Sequence, residues 1–327
     1  MVIFLIVVLF LILFVSFLAY MECFHSPASR ADNPYASIEG EQYADIHDNM
    51  LAITRIMERA QAEEVTIHSY DGLLLKGRYY QTNHDAPILI LFHGYRSHPS
   101  RDCAGAYMLG KKMGFNILAV DQRAHCKSGG RVITFGICER HDCASWAEYA
   151  ASRFPDSPIV LAGLSMGAAT VLMASELKLP KSVCAILADC PYSSPSAIIR
   201  KVCIDRKIPD WLAYPFVQLG ARLFGGFPIN KCSAEDAVKH ANVPILLLHG
   251  EDDRFVPCDM SKAIHSANPD LIRLHTFPYA GHGLCYMTDP IRYEQIVTRF
   301  LWDITALKRY MTGNTYVHDA INGNLKY

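Results

Sequence analysis

The pentapeptide Gly163-Leu164-Ser165-Met166-Gly167 decides how the rest of this 327-residue chain is interpreted. It follows the apolar run Pro158-Ile159-Val160-Leu161-Ala162 and precedes the small residues Ala168-Ala169-Thr170. A strand, a G-x-S-x-G turn and a helix in that order predict a nucleophile elbow, in which a serine is held on a sharp, strained turn. Because such a turn packs closely against its neighbours, side chains in place of Gly163 and Gly167 are expected to clash.

Composition allows a large folded core and argues against two classes of ligand. The chain is 51% hydrophobic and carries a formal net charge of −1. A chain of this length and content can bury a large core, and its near-neutral charge leaves no electrostatic footprint for nucleic acid. The sequence contains neither G-x-G-x-x-G nor G-x-x-x-x-G-K-[ST], the common phosphate-binding patterns. We therefore expect no nucleic-acid partner and no nucleotide cofactor.

The N-terminus carries an almost unbroken apolar stretch, residues 2–20, interrupted only by Ser16. As a helix it would be roughly 29 Å long, close to the hydrocarbon thickness of a bilayer. A cleaved signal peptide is the alternative. The stretch is longer than the usual signal-peptide core, no Lys or Arg precedes it, and no A-x-A site follows it. We predict a single-pass membrane anchor over residues 1–21 that contacts lipid.

The side of the membrane on which the rest of the chain lies is only weakly indicated. Arg30 is the first basic residue after the stretch, and Glu22, Asp32 and Glu39 accompany it, so the positive-inside rule gives almost no signal. The eleven cysteines are odd in number and lack the spacing of a disulfide scaffold. Reduced thiols favour the cytoplasmic side, and the extracytoplasmic side stays open.

The rest of the chain divides into three parts. Residues 22–64 are interpreted as a linker followed by an N-terminal helix over 43–60. Residues 65–311 begin with a β-hairpin around Asp71-Gly72 and continue as apolar strands that alternate with helical segments. This alternation predicts a mostly parallel sheet covered by helices on both faces. The aromatic-rich stretch 191–232 breaks the rhythm and is predicted to be a small helical cap over the sheet's carboxyl edge, and residues 312–327 a polar tail on the surface.

A serine hydroxyl becomes a good nucleophile only when a base removes its proton and a third group orients that base. After an elbow of this kind the partners follow in the chain order serine, acid, histidine. His249-Gly250-Glu251-Asp252-Asp253 follows an apolar strand and offers three acids, and Tyr279-Ala280-Gly281-His282-Gly283 follows the next strand. The order and placement predict Ser165, one of these acids and His282 as a catalytic constellation.

With these segments in hand, the chain resembles an α/β-hydrolase of the serine-triad type, in the esterase and serine aminopeptidase-like branch. The matching segments lie between residues 65 and 307: Phe92-His93-Gly94-Tyr95-Arg96-Ser97, residues 121–128, 163–167, 249–257 and 280–283. The resemblance implies an α/β-hydrolase fold with Ser165 as nucleophile, His282 as general acid and base, and Asp253 as the residue that orients His282. Asp253 is preferred over Asp252 because the family's acid precedes x-x-Val-Pro.

An acyl-transfer intermediate needs two backbone N–H donors for its oxyanion. The elbow motif assigns one to Met166, and the resemblance implies Tyr95 for the other. His93 is expected to have a structural hydrogen-bonding role. Asp121, Arg123 and His125 are expected to order the turn that follows the strand before them. Cys126 stands where the family commonly has glycine, which puts the backbone conformation of that turn in doubt.

The functional expectation is a serine hydrolase that cleaves a carboxylic ester or thioester through an acyl-enzyme, acts on a small-molecule or acylated substrate, and needs no metal or cofactor. Two alternatives remain open. One is an aminopeptidase or amidase that uses the same three residues, and the other is a non-enzymatic membrane-associated binding protein of the same fold.

Overall fold

The computed structural model describes residues 1–27, 33–35 and 41–325, so the predicted linker lies partly outside the described residues. The chain opens with helix α1 (Val2–Cys23), which is long and apolar enough to cross a membrane and has only 6% of its most apolar window buried. A short 3-10 helix (Glu41–Ile46) leads into α2 (His47–Arg59), which matches the helix expected over 43–60.

The described residues form one eight-stranded sheet with the strand order β1-β2-β4-β3-β5-β6-β7-β8. The hairpin strands β1 and β2 pair antiparallel, β2 pairs antiparallel with β4, and all other neighbours are parallel. The predicted hairpin and mostly parallel sheet are confirmed. The strands are β1 (Glu63–His68), β2 (Leu74–Tyr80), β3 (Ile88–Phe92), β4 (Asn116–Val120), β5 (Ile159–Leu164), β6 (Val183–Asp189), β7 (Ile245–Gly250) and β8 (Ile272–Phe277).

Helices cover both faces of this sheet, which explains why β3, β4 and β7 are buried along their whole length and read as continuous apolar runs. One face carries a core around Trp146 and the other a core around Phe115 and Phe300. The remaining helices are α3 (Pro99–Asp102), α4 (Ala104–Lys112), α5 (Glu139–Arg153), α6 (Met166–Ala174), α7 (Pro195–Asp205), α8 (Asp210–Leu223), α9 (Ala234–Ala237), α10 (Asp259–Ala267), α11 (Cys285–Thr288), α12 (Pro290–Trp302), α13 (Thr305–Met311) and α14 (Thr315–Ile321), with a second 3-10 helix at Val238–His240.

The stretch 191–232 is helical, as expected, and contains α7 and α8. Helix α8 packs against the last turns of α1: a Cβ placed on Gly220 would overlap the carbonyl oxygen of Ser16. The ring of Phe224 lies 5.2 Å from that of Phe17 and 6.0 Å from that of Tyr20. The helical insertion and the apolar N-terminal helix therefore form one packed unit.

The expectation of a polar surface tail over 312–327 is wrong for most of that segment. Residues 315–321 form α14, which packs on α12 and buries Val317 and Ala320 completely or almost so. These two residues lie one turn apart on the same helix face. These two apolar positions in a polar stretch were too few to predict a helix. Residues 326–327 lie outside the described part of the chain.

Candidate active site

The turn between β5 and α6 places Ser165 in a strained backbone conformation, with φ of 56° and ψ of −115°. Positive φ is uncommon for residues other than glycine and costs free energy unless the surroundings hold it. A Cβ on Gly163 would overlap the Gly167 carbonyl group, and a Cβ on Gly167 would overlap the carbonyl oxygen of Phe92. The steric need for both glycines is therefore confirmed.

The structure brings together the serine, histidine and acid that the sequence singled out. Ser165 Oγ lies 2.9 Å from Nε2 of His282, and Nδ1 of His282 lies 2.7 Å from Oδ2 of Asp253. Ser165 follows β5, Asp253 follows β7, and His282 follows β8. Because the carboxyl ends of parallel strands meet at one edge of the sheet, residues 117 positions apart come into hydrogen-bond contact.

Asp253, and neither neighbouring acid, reaches His282. Its second oxygen, Oδ1, accepts hydrogen bonds from the backbone N–H groups of Phe255 (2.9 Å) and Val256 (2.8 Å). Burial would raise the pKa of Asp253, but hydrogen bonds from His249 and His282 outweigh it and hold the pKa at about 2. Glu251 and Asp252 are exposed. A buried, ionised carboxylate of this kind is suited to orient a histidine.

Both residues expected to supply oxyanion donors flank Ser165. Met166 is the first residue of α6, so its N–H has no acceptor within the helix. Gly94, directly before Tyr95, lies against the serine: a Cβ built on Gly94 would be 3.5 Å from that of Ser165. The N–H of Gly94 donates to Oδ2 of Asp102 at 2.7 Å. Asp102, which sequence reasoning missed, thus fixes the loop that carries Tyr95.

His93 has the structural role that was expected. Its Nδ1 lies 2.8 Å from the carbonyl oxygen of Gly94, and its Nε2 accepts from the backbone N–H of Gln122 at 3.1 Å. Complete burial, together with the neighbouring His125, lowers the pKa of His93 to about 3. His93 is therefore neutral at physiological pH and bridges the loops after β3 and β4.

The turn after β4 is held by a buried arginine. Arg123 donates two hydrogen bonds of 2.6 Å to Asp142 on α5 and further ones to Asp71 in the hairpin turn. Nε2 of His125 accepts from the backbone N–H of Arg96 at 2.9 Å. Cys126 has φ of 45°, a left-handed conformation that glycine adopts without strain. The turn thus has the left-handed conformation at this position even though the residue there is cysteine and not glycine.

A cavity of about 360 Å³ lies beside Ser165 and His282 and extends between the sheet and helices α2, α4 and α12. Its described lining residues include none from 191–232, so α7 and α8, although predicted as a cap, do not line this cavity. Most lining side chains are apolar. They include Leu89, Leu91, Leu109, Met113, Leu187 and Val297.

The 3-10 helix over residues 41–46 closes one side of this cavity. The hydroxyl of Tyr43 donates to the backbone carbonyl of His282 at 3.0 Å, and a Cβ on Gly281 would overlap the side-chain oxygen of Gln42. Burial raises the pKa of Tyr43, which keeps the hydroxyl protonated as a donor. Residues 43–46 were expected to begin the N-terminal helix and 41–42 to end the linker, and no pattern in them indicates a contact with the histidine loop.

Asp189, at the end of β6, is a second acid that the sequence did not single out. It is buried and lines the cavity, and its Oδ1 has no hydrogen-bond partner among the described residues. Burial raises its pKa to about 6, although Cys285, His249 and Tyr293 act in the opposite direction. The cavity is therefore apolar with one poorly satisfied carboxyl group in its wall.

Comparison with known proteins shows which folds and sequences this chain is similar to. A family model described as "Serine aminopeptidase, S33" matches residues 83–227. The uncharacterized protein YqkD of Bacillus subtilis is 23% identical over 257 residues, which are 78% of this chain and 84% of that protein. Human protein ABHD12B is 28% identical over 206 residues, 59% of this chain and 54% of its own length. The solved structure of an esterase from Pyrococcus furiosus superposes with a TM-score of 0.61 at 24% identity, covering 85% of this chain and 99% of the esterase.

The chain has the α/β-hydrolase fold, and the predicted fold is confirmed. Its matches also include a protein named as a bifunctional esterase/perhydrolase and a solved structure of an acylaminoacyl peptidase.

The buried carboxyl group of Asp189 predicts a pH-dependent stability difference. Its pKa is raised from 3.8 to about 6 in the folded protein, so its ionisation destabilises the fold as pH rises through that range. Relative to Asp189→Asn, the wild type should lose up to roughly 3 kcal/mol of unfolding free energy between about pH 4 and pH 7.5. Urea titration of both proteins in mild detergent measures this difference. A difference that stays constant with pH would contradict the buried, unsatisfied carboxyl.

Proposed function

We propose that the chain is a membrane-anchored serine hydrolase that cleaves a carboxylic ester or thioester through an acyl-enzyme on Ser165. The observation that carries the proposal is the hydrogen-bonded series from Ser165 Oγ to His282 and on to Asp253, with distances of 2.9 and 2.7 Å. A serine, a base within hydrogen-bond reach and a third group that orients the base are what nucleophilic acyl transfer requires.

In the first half of the reaction, Ser165 Oγ attacks the carbonyl carbon while Nε2 of His282 accepts the hydroxyl proton. Asp253 is ionised because its pKa is about 2. Its carboxylate accepts a hydrogen bond from Nδ1–H of His282 and stabilises the imidazolium that forms. The oxyanion of the tetrahedral intermediate accepts hydrogen bonds from the N–H groups of Met166 and Tyr95. Collapse of the intermediate breaks the bond to the leaving group, which takes its proton from His282.

In the second half, a water molecule replaces the leaving group. His282 takes a proton from this water as the oxygen attacks the acyl-enzyme, and the second tetrahedral intermediate collapses to release the acid and regenerate Ser165. The imidazole of His282 transfers the proton in both halves of the reaction. The water supplies the hydroxyl group of the released acid and the proton that returns to Ser165.

The shape and lining of the cavity support an apolar acyl group. Its walls beside Ser165 carry Leu89, Leu91 and Leu109, among other apolar side chains. Burying such a group stabilises the bound substrate by about 25 cal/mol for each Å² of apolar surface removed from water. An ester or thioester with an apolar acyl group therefore suits this cavity better than one with a highly polar acyl group.

An aminopeptidase or amidase is the second candidate, and one feature favours it. The unsatisfied carboxyl oxygen of Asp189 in the cavity wall is suited to accept a hydrogen bond from an ammonium group. The same three residues would cleave an amide if His282 protonates an amine leaving group. The matched family model is also described as an aminopeptidase.

The membrane anchor is part of the proposal. Tyr20 of α1 and Phe24, directly after that helix, are buried in one cluster with side chains of α8, and this packing suits a helix that stays attached to the mature protein. All eleven cysteines lie in the described part of the chain, and none of them there forms a disulfide. Free thiols suit the reducing cytoplasmic side of the membrane.

The nucleophile assignment predicts the outcome of labelling with a fluorophosphonate probe. Wild-type protein in detergent should be labelled, whereas Ser165→Ala should lose labelling and at least ~10³-fold in ester hydrolysis, because the oxygen that attacks is gone. Ser145→Ala is the matched control, since among the residues that the structure describes its hydroxyl donates only to the backbone carbonyl of His141 on its own helix. Equal labelling of wild type and Ser165→Ala would exclude Ser165 as the nucleophile. A correctly folded wild type that neither labels nor hydrolyses would favour the binding-protein alternative.

The cavity predicts a dependence on acyl-chain length. Against p-nitrophenyl esters of increasing length, kcat/KM should rise while the acyl group still fits the cavity, and should exceed that for aminoacyl amides. Ala106→Leu narrows the cavity at the wall formed by α4. It should lower kcat/KM for long-chain esters about tenfold more than for the acetate ester. Faster turnover of aminoacyl amides than of any ester would instead support the peptidase candidate.

A further inference from the structure

Helix α8 carries an apolar stripe on its outer side that the catalytic proposal does not use. The stripe consists of Leu212, Phe216, Leu219 and Leu223, which we call the outer stripe. Their spacing of four, three and four residues places them on one helix face. Leu212 and Leu223 are 48% and 54% exposed, and the other two are half-buried.

The opposite face of α8 is also apolar and is the face that the domain buries. Tyr214, Val217 and Ala221 are buried there, in a cluster with Tyr20 and Phe24 of α1. A surface helix in water normally opposes its buried stripe with charged or polar side chains. The outer side of α8 instead carries three leucines and a phenylalanine. Such a face is better suited to an apolar environment than to water.

The outer stripe lies next to the place where α1 leaves the folded domain. Gly220 allows close approach of α8 to Ser16 of α1, and Phe224, one residue past the stripe, contacts Phe17. Beyond this contact, residues 2–15 of α1 are almost all exposed. The stripe is thus continuous with the surface of a helix long enough to cross a bilayer.

The residues around the stripe have the composition of a membrane–water interface. Ile208, between α7 and α8, is 44% exposed, and Trp211, in the first turn of α8, is 72% exposed. Lys207 and Arg222 are exposed, and neither forms an ion pair with any residue that the structure describes. Tryptophan is enriched at the headgroup level of bilayers, and basic side chains beside it are attracted to anionic lipids.

We propose that α8 lies in the interfacial region of the bilayer, with its outer stripe against lipid and Lys207 and Arg222 at the headgroups. This inference rests on the membrane anchor of the proposed function, and it adds a second lipid contact that fixes how the domain sits on the membrane. A helix with an apolar outer face and basic flanks is suited to lie in that plane. A second copy of the chain covering the same face is the competing occupant.

Trp211 provides a reporter for the test. The full chain is reconstituted into vesicles of phosphatidylcholine and phosphatidylglycerol, with or without phosphatidylcholine brominated close to the headgroup end of its acyl chains. Of the three tryptophans, Trp146 is completely buried in the domain and Trp302 lies on α12. We expect brominated lipid to quench wild type and Trp302→Phe to a similar extent, and Trp211→Phe to lose most of the quenching.

A paired substitution tests the stripe itself. Leu212→Glu combined with Leu223→Glu should reduce the quenching of Trp211 at least ~2-fold, because buried carboxylates disfavour insertion. Ile56→Glu, on an equally exposed residue of α2, should leave the quenching unchanged. Hydrolysis of a soluble acetate ester should stay within about twofold of wild type in both, since none of these residues lines the cavity.

The outcomes that overturn the inference are distinct from those that overturn the hydrolase. Unquenched Trp211 in membrane-bound wild type contradicts it, as does full-length protein that remains in the aqueous fraction. Unquenched Trp211 together with chemical crosslinking between two copies identifies the competing occupant. Quenching that depends on Trp211 in a protein without hydrolytic activity would support the membrane contact and contradict the proposed function instead.

Discussion

The contact between Gly167 and the carbonyl group of Phe92 is the constraint on which the rest of the site depends. It is too close for any side chain at position 167, and it lets the first turn of α6 settle directly against the end of β3. Ser165, between β5 and α6, then has a positive φ, a conformation that costs of order 1–3 kcal/mol. The same approach brings Gly94 beside Ser165, so one packing contact places both the serine and the loop that carries Gly94 and Tyr95.

The remaining members of the site are held by buried hydrogen bonds. Asp253 has both oxygens occupied by donors, and Asp102 secures the backbone of Gly94. Buried charges are costly unless they are paired, so each of these carboxylates also specifies the loop that surrounds it. Asp189 departs from this pattern, since one of its oxygens has no partner among the described residues. Asp189 lies in the wall of the cavity beside Ser165, and its unpaired oxygen can accept a further hydrogen bond.

The parts that could be predicted from the sequence share a local signal. The elbow is specified by two glycines and a serine, and the strands by short apolar runs. The placement of Asp253 and His282 follows from the rule that parallel strands end at one edge. The contact of Tyr43 with the histidine loop and the cavity between the sheet and α4 have no local signal, because they arise from distant segments meeting. The packing of α14 rests on buried Val317 and Ala320, with Tyr316 and Ile321 partly buried beside them, and so short a stripe within a polar stretch does not stand out in the sequence.

If Asp253, His282 and Ser165 act as one hydrolytic unit, activity should depend on Asp253 and not on its neighbour Asp252. Comparing substitutions of these two adjacent acids tests this directly. The quantity is kcat/KM of full-length protein for a p-nitrophenyl ester, compared between Asp253→Asn and Asp252→Asn. Asp253→Asn should lose about 10⁴-fold, because the imidazole loses its orienting carboxylate, and Asp252→Asn, at an exposed position, should change by no more than about twofold. Equal losses in both variants, or a larger loss at Asp252, would contradict it.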